Sequence, residues 1–242
     1  YKYNSQELYN IKNKKISDTN FNQVLNFLIN RLNNIPFQHL MGYAPFYGRD
    51  FIVNSNVLIP RQESEVLINV LKNKSQCKVL DIGAGAGCLA ITSILEGIAK
   101  EVDAIDINEE ALKLTKKNSI SLNAKNVNCI KMNILKEIPN TKYDIIISNP
   151  PYVSKNEYKK LDLEVKNNEP LEALTDMGDG YTFYNRYANI LKKILKKSGI
   201  AVFELSHFFN KEKIQLIFED FSNIEFYQDI NNDLRAISIF ND

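Results

Sequence analysis

The chain has 242 residues, 44% apolar and 24% charged, and its 30 basic and 29 acidic side chains leave a formal net charge of +1. This is the composition of an ordinary soluble chain able to bury a substantial core, and it lacks the overall positive field that drives sequence-independent nucleic-acid binding. The three cysteines, Cys77, Cys88 and Cys129, form no CxxC pair, which argues against a disulfide framework and a zinc site, and no apolar run approaches a membrane span, so a cytosolic monomer without metal is expected.

In chain order, the opening "YKYNSQELYNIKNKK" carries no apolar signal core, and because it starts on Tyr1 rather than Met, further residues upstream are an open expectation. Phe21, Val24, Leu25, Leu28 and Leu32 recur at helical spacing and predict an amphipathic helix over 20–32, with Asp18, Thr19 or Asn20 as its N-cap. Alternation around Phe46 and through "DFIVNSNVLI" predicts a pair of short strands, the second halted by Pro60, and a helix follows over 63–71. Beyond it, strands alternate with helices, the pattern of a parallel sheet with helical crossovers. Seven strands are predicted, from Lys78, Val102, Val127, Tyr143, Gly199, Ile224 and Arg235. Helices are predicted over 88–97, 109–122, 181–196 and 211–221. The last two strands have no room for a crossover helix between them and should pair antiparallel. The expected architecture is an α/β Rossmann-like seven-strand domain over 63–242, preceded by a small helical domain over 1–40 and a hairpin connector over 41–62.

The stretch "VLDIGAGAGCLAI" is an apolar strand, then Gly83, Gly85 and Gly87 at alternate positions, then an apolar helix. Such a turn brings backbone amides close to a ligand, although a merely tight turn has the same signature. A dinucleotide fingerprint needs glycine at position 88, which is Cys88. The next strand ends in Asp106, placed to bond the two hydroxyls of a ribose, with a cap for the following helix as the alternative. Asp81, at the loop, suits either the loop amides or an ammonium group. A ligand with a ribose, an amine and no phosphate fits this set, namely S-adenosyl-L-methionine.

The fourth strand runs "IIIS" into Asn149, Pro150, Pro151 and Tyr152 at the same carboxyl edge of the sheet. Methyl transfer to a planar, weakly basic nitrogen requires both of its N–H groups to be held. The Asn149 side-chain oxygen and the following backbone carbonyl can accept them. The two prolines fix the backbone there, and Tyr152 offers a face for stacking. Catalysis is then mainly positioning and electrostatic stabilisation by Asn149, Pro150 and Tyr152. A plain loop breaker is the bland reading of Pro-Pro alone.

Together with "RLNNIPFQHLMGYAPFYGRDFIVNSNVLIPRQESE" and "EVKNNEPLEALTDMGDGYTFY", these motifs resemble the protein glutamine methyltransferases that modify peptide chain release factors, the PrmC or HemK family. The resemblance runs through nearly the whole chain. It implies that Gly83, Ala84, Gly85, Ala86, Gly87 and Asp106 bind S-adenosyl-L-methionine, with Asn133, Ile134 and Asn149 also against it. It further implies that Asn149, Pro150, Pro151 and Tyr152 receive the glutamine of a release factor's Gly-Gly-Gln motif, and that the N-terminal helical domain docks that factor. Phe46, Pro60, Arg61 and Glu63 should lie near the cofactor's methionine end or the cleft rim, with Glu164 and Glu169 either orienting Arg61 or ordering a lid, or else standing as ordinary solvated charges. The chain departs from the family at Asn133 and Ile134, where an Asp and an aromatic are usual, at Ser206, and in "INNDLRAI", which lacks a Gly before its Arg. His39 and His207 are read as structural, and Cys88 as a small buried residue. NPPY is shared with adenine methyltransferases of DNA and RNA, so that activity is the first alternative, with a nucleotide-binding oxidoreductase and a catalytically silent module behind it.

Overall fold

The computed structural model describes residues 17–229 and 232–241. The first helix, α1 (Asp18–Leu32), is capped by Ser17, whose side chain accepts from the Asn20 N–H, so the three cap candidates lie inside the helix. Its periodic residues Phe21, Val24, Leu25, Leu28 and Leu32 are all exposed. Positions 1–16 of the predicted helical domain lie outside the described residues. A short α2 (Phe37–Met41) ends on Gly42 at φ +75°. Strands β1 (Tyr43–Phe46) and β2 (Arg49–Ile52) then pair antiparallel. Tyr47 and Gly48 between them both adopt positive φ, as a two-residue hairpin whose turn matches strand twist requires. The second strand stops at Ile52, well before Pro60. The Val53 N–H turns back to the Gly42 carbonyl, and Asn54 accepts from Asn56 in a side-chain turn. A 3-10 turn, Gln62–Ser64, leads into α3 (Glu65–Val70).

All seven expected strands lie in one sheet: β3 (Cys77–Ile82), β4 (Ala99–Asp106), β5 (Val127–Lys131), β6 (Tyr143–Ser148), β7 (Leu195–Glu204), β8 (Ile224–Gln228) and β9 (Leu234–Asn241). Their spatial order is β5-β4-β3-β6-β7-β9-β8. The first five are mutually parallel, and β9 lies antiparallel to both β7 and β8. The terminal hairpin pairs as expected, but its second strand is the one that docks on the parallel sheet.

The central strands read as continuous apolar runs because helices cover both faces. Val79, Ile145 and Ile147 pack toward α3, α4 (Cys88–Leu95), α5 (Glu109–Ser121) and the β1–β2 hairpin. Leu80, Ile82 and Ile146 pack toward α9 (Thr182–Ile194) and α10 (Lys211–Ile217), among Tyr184, Tyr187, Phe203 and Phe218. Between β6 and α9 lie three one-turn helices that periodicity does not reveal: α6 (Lys155–Tyr158), α7 (Leu163–Lys166) and α8 (Leu171–Leu174). Strand β7 starts at Leu195, four residues early, because Leu195 already pairs with Tyr143; the register then shifts before Ile145 meets Ile200, with Ser198 at φ +58°. Among the described residues no helix is long and apolar enough to cross a membrane. From β3 the chain winds outward to β4 and β5, then returns across to β6. The crevice beyond the carboxyl ends of β3 and β6 is therefore the place where such a sheet binds ligands.

Candidate active site

At the end of β3 the Gly83 and Ala84 N–H groups both donate to the Ile105 carbonyl of β4, which forces the chain to turn at once. Gly83, Gly85 and Gly87 all adopt positive φ. They differ in what surrounds them. A Cβ on Gly83 or Gly85 would meet nothing within 4 Å, whereas one on Gly87 would stand 2.8 Å from Thr115 Cγ2. Two glycines thus keep space open and the third permits close packing against α5. From that helix Thr115 donates to the Gly85 carbonyl, and the buried Asn118 donates to the carbonyls of Ala86 and Ile52 while accepting the Ile52 N–H. One side chain therefore fixes the hairpin to the glycine loop.

The carboxylates have separate tasks. Asp106 accepts N–H bonds from Gly85 at 2.9 Å and Asn108 at 2.8 Å, one on each oxygen, and each oxygen retains a second lone pair for a ligand. Asn108, not Asp106, is the N-cap of α5, so the cap alternative for Asp106 falls away. Burial pushes the Asp106 carboxyl above its ordinary range, and the nearby charge of Glu172 adds to that, against the pull of the backbone N–H groups. Asp81 belongs to β3 itself and is buried beneath the loop. Its Oδ2 accepts from Ala90 at the start of α4, and its Oδ1 has no partner. Burial raises it to about 7. Burial, with the Asp81 charge behind it, also raises Cys88, which makes the thiol a packing group rather than a nucleophile.

A cavity of about 310 Å³ opens over this loop. Gly83 to Ala86, Asp106, Asn133, Ile134, Asn149, Pro150 and Pro151 all line it, so most of the predicted set converges on one space. Its size is that of a small-molecule site, and its acidic rim of Asp106, Glu172 and Asp176 suits a ligand bearing hydroxyls and positive charge. Asn133 uses its side-chain oxygen to hold the Leu135 N–H. Phe46, Pro60 and Arg61 reach the wall as expected, but Glu63 does not, and Ser64 stands there instead. Tyr152 is not among the lining residues. Its hydroxyl donates inward to Glu204 Oε1 at 3.1 Å, and its ring meets Phe209 edge-on.

Glu204, at the end of β7, is the carboxylate that motif reading misses. It is 2% exposed. Besides Tyr152 it accepts from Ser64 Oγ, and Ser64 in turn accepts from Asn149 Nδ2 at 3.0 Å. Burial raises Glu204 to about 7, against the hydroxyls that stabilise its charge. A lone Glu inside the apolar strand "GIAVFEL" was the available signal, since carboxylates are rarely buried without partners.

The segment after the NPPY turn folds over the cavity rim. The buried Glu169 accepts from the Ile59 N–H at 3.0 Å and from Arg61 at 2.5 Å, while Glu164 pairs with Arg31 of α1 at 2.9 Å. Only Glu169 therefore orients Arg61. His39 is partly buried with its Nε2 unpartnered, and His207 is exposed beside Arg235.

Residues 61–202 match the profile of the Methyltransferase small domain family. The release factor glutamine methyltransferase of Bacillus subtilis (strain 168) is 37% identical over 215 residues, spanning 84% of this chain and 74% of that protein. The one from Fusobacterium nucleatum is 38% identical over 212 residues, or 85% of this chain, which spans only 60% of that protein's length. Among solved structures, a methyltransferase from Pyrococcus furiosus superposes with a TM-score of 0.63 at 18% identity, over 88% of this chain and 98% of that one. That likeness is one of fold.

Proposed function

The chain belongs to the release factor glutamine methyltransferases, within the Methyltransferase small domain family, and from that membership we propose that it methylates the side-chain amide nitrogen of a release factor's Gly-Gly-Gln glutamine. The observation that carries the proposal is the Asn149 amide. Its nitrogen is engaged by Ser64, which leaves its oxygen to accept an N–H at the cavity that the glycine loop and Asp106 also line.

S-adenosyl-L-methionine, when bound, supplies an electrophilic methyl group on a sulfonium. The residues present fit it: the open space above Gly83 and Gly85 leaves room, Asp106 has lone pairs for the ribose hydroxyls, and Ile134 supplies an apolar wall for the base. Asn133, whose side-chain oxygen holds the Leu135 N–H, keeps a second lone pair on that oxygen and a free amide N–H₂ for the base. Asn149 Oδ1 and the following backbone carbonyl hold the two N–H groups of the glutamine, and Pro150 and Pro151 keep that carbonyl from turning away. With both N–H groups held, the amide presents the face of its nitrogen, and the excess proton departs after transfer. Tyr152 serves from behind, as a neutral donor to Glu204, because burial and the Glu204 charge raise its hydroxyl far above its ordinary range. The partner is a peptide chain release factor, with the α1 region as its docking element and the protein acting as a cytoplasmic monomer. The 1–40, 41–62 and 63–242 division remains the working domain assignment.

The test is methyl transfer from labelled S-adenosyl-L-methionine to a purified release factor, to the same factor with its Gly-Gly-Gln glutamine changed to alanine, and to DNA and tRNA. Label on the intact factor alone is expected, and Asn149→Ala should reduce it about 100-fold or more while cofactor binding persists. Label on nucleic acid alone would establish the adenine alternative instead.

A further inference from the structure

An asparagine amide presents two nearly isosteric ends, so the acceptor end must be selected by something outside the side chain. In this site the selection has a physical origin. An ionised carboxylate only accepts, so the Ser64 hydroxyl proton is committed to Glu204 Oε2. The Ser64 oxygen can then only accept from Asn149, and Asn149 must turn its Nδ2 toward it. The far end of the amide, Oδ1, is what remains for the cavity.

We propose that Glu204, acting through Ser64, is a positioning residue that holds Asn149 with its oxygen toward the cavity, and that losing the charge or the hydroxyl link releases the amide to turn its donor end there. The proposal rests on the reading of Asn149 as the acceptor for the substrate amide. With Glu204 protonated, its O–H can donate to Ser64, Ser64 can donate to Asn149 Oδ1, and the turned N–H₂ faces a glutamine N–H it cannot accept.

The groups around Glu204 come from four elements. Ser64 and Glu63 approach from the 3-10 turn, Tyr152 from the NPPY turn and Arg235 from β9. The Tyr184 hydroxyl of α9 bonds the Glu204 main-chain carbonyl at 2.6 Å. Glu63 disfavours the charged form of Glu204 and Arg235 favours it, while burial dominates and brings the titration to about 7. The switch therefore falls where an assay can cross it.

The experiment measures kcat for a release factor between pH 6 and 8.5 in the wild type, Ser64→Ala, Ser64→Thr and Glu204→Gln, alongside the Asn149 side-chain amide resonances by ¹⁵N NMR without substrate. Wild-type kcat should fall on the acid side. Ser64→Ala should lower the plateau about tenfold and lose the acid limb, Ser64→Thr should restore both, and Glu204→Gln, which keeps shape without titrating, should flatten the profile. The Asn149 resonances should move with pH in the wild type and stay fixed in Ser64→Ala and Glu204→Gln. A Ser64→Ala enzyme with wild-type plateau and acid limb overturns the proposal, as do wild-type Asn149 resonances that do not titrate. If the wild type transfers no methyl to the factor, the functional reading fails by itself, and the resonances still decide the orientation.

Discussion

Gly83 and Gly87 lie four residues apart in the same loop with nearly equal φ, +76° and +83°, yet alanine should harm the protein differently at each. The left-handed conformation costs any L side chain roughly 1–2 kcal/mol, so both variants share that penalty. At position 83 nothing else is added, because the new methyl meets no atom within 4 Å. At position 87 the methyl lies 2.8 Å from Thr115 Cγ2 and 3.3 Å from Thr115 Cα, and backbone of a packed helix has little freedom to withdraw. Overpacking of that kind adds about 1–3 kcal/mol, so Gly87→Ala should lose about 3–4 kcal/mol in all. At roughly 2–4 °C of Tm per kcal/mol for a domain of this size, the expected drop is on the order of 10 °C for Gly87→Ala against about 4 °C for Gly83→Ala. Ligand affinity should rank the other way, since the Gly83 methyl occupies cavity space and the Gly87 methyl faces α5. Thermal melts followed by circular dichroism, with titration calorimetry against S-adenosylhomocysteine below both melting points, measure the two effects. Equal melting temperatures, or a Gly83→Ala variant that binds like wild type, would refute the division of labour argued for this loop.

Stability should also carry a pH signature. Asp81 is raised from its ordinary 3.8 to about 7, so between those values the folded state holds a proton that the unfolded chain has released. Stability contributed there is present at low pH, falls as pH rises through that window, and is level above it, by an amount on the order of 4 kcal/mol. Glu204, raised to about 7, slopes the same way, so Asp81→Asn should weaken the pH dependence of urea unfolding between pH 5 and 8 without abolishing it. An unchanged slope would mean Asp81 is not buried as described. Asn118→Ala removes three hydrogen bonds at once, one buried and two partly buried, and should cost about 3 kcal/mol, with the larger loss of protection in hydrogen exchange at Ile52 rather than in the distant β8. Protection unchanged at Ile52 would show that the hairpin is held elsewhere.

Local chemistry made much of this protein legible in advance. The seven strands could be read because each carries β-branched or aromatic residues between turn residues, and the glycine loop and NPPY because runs of glycine and proline at strand ends are more than packing alone calls for. The sequence by itself determined where the backbone turns through positive φ after β3 and where Asn149 follows β6. Tertiary structure decided the rest, wherever the deciding partner is distant in the chain. The cap of α1, the early end of β2 and the docking of β9 ahead of β8 depend on competition between neighbours that periodicity does not rank. Ser64 and Glu204 are separated by 140 positions and mean little apart. Only folding brings them together under Asn149, and with them the charge that decides which end of that amide the cavity meets.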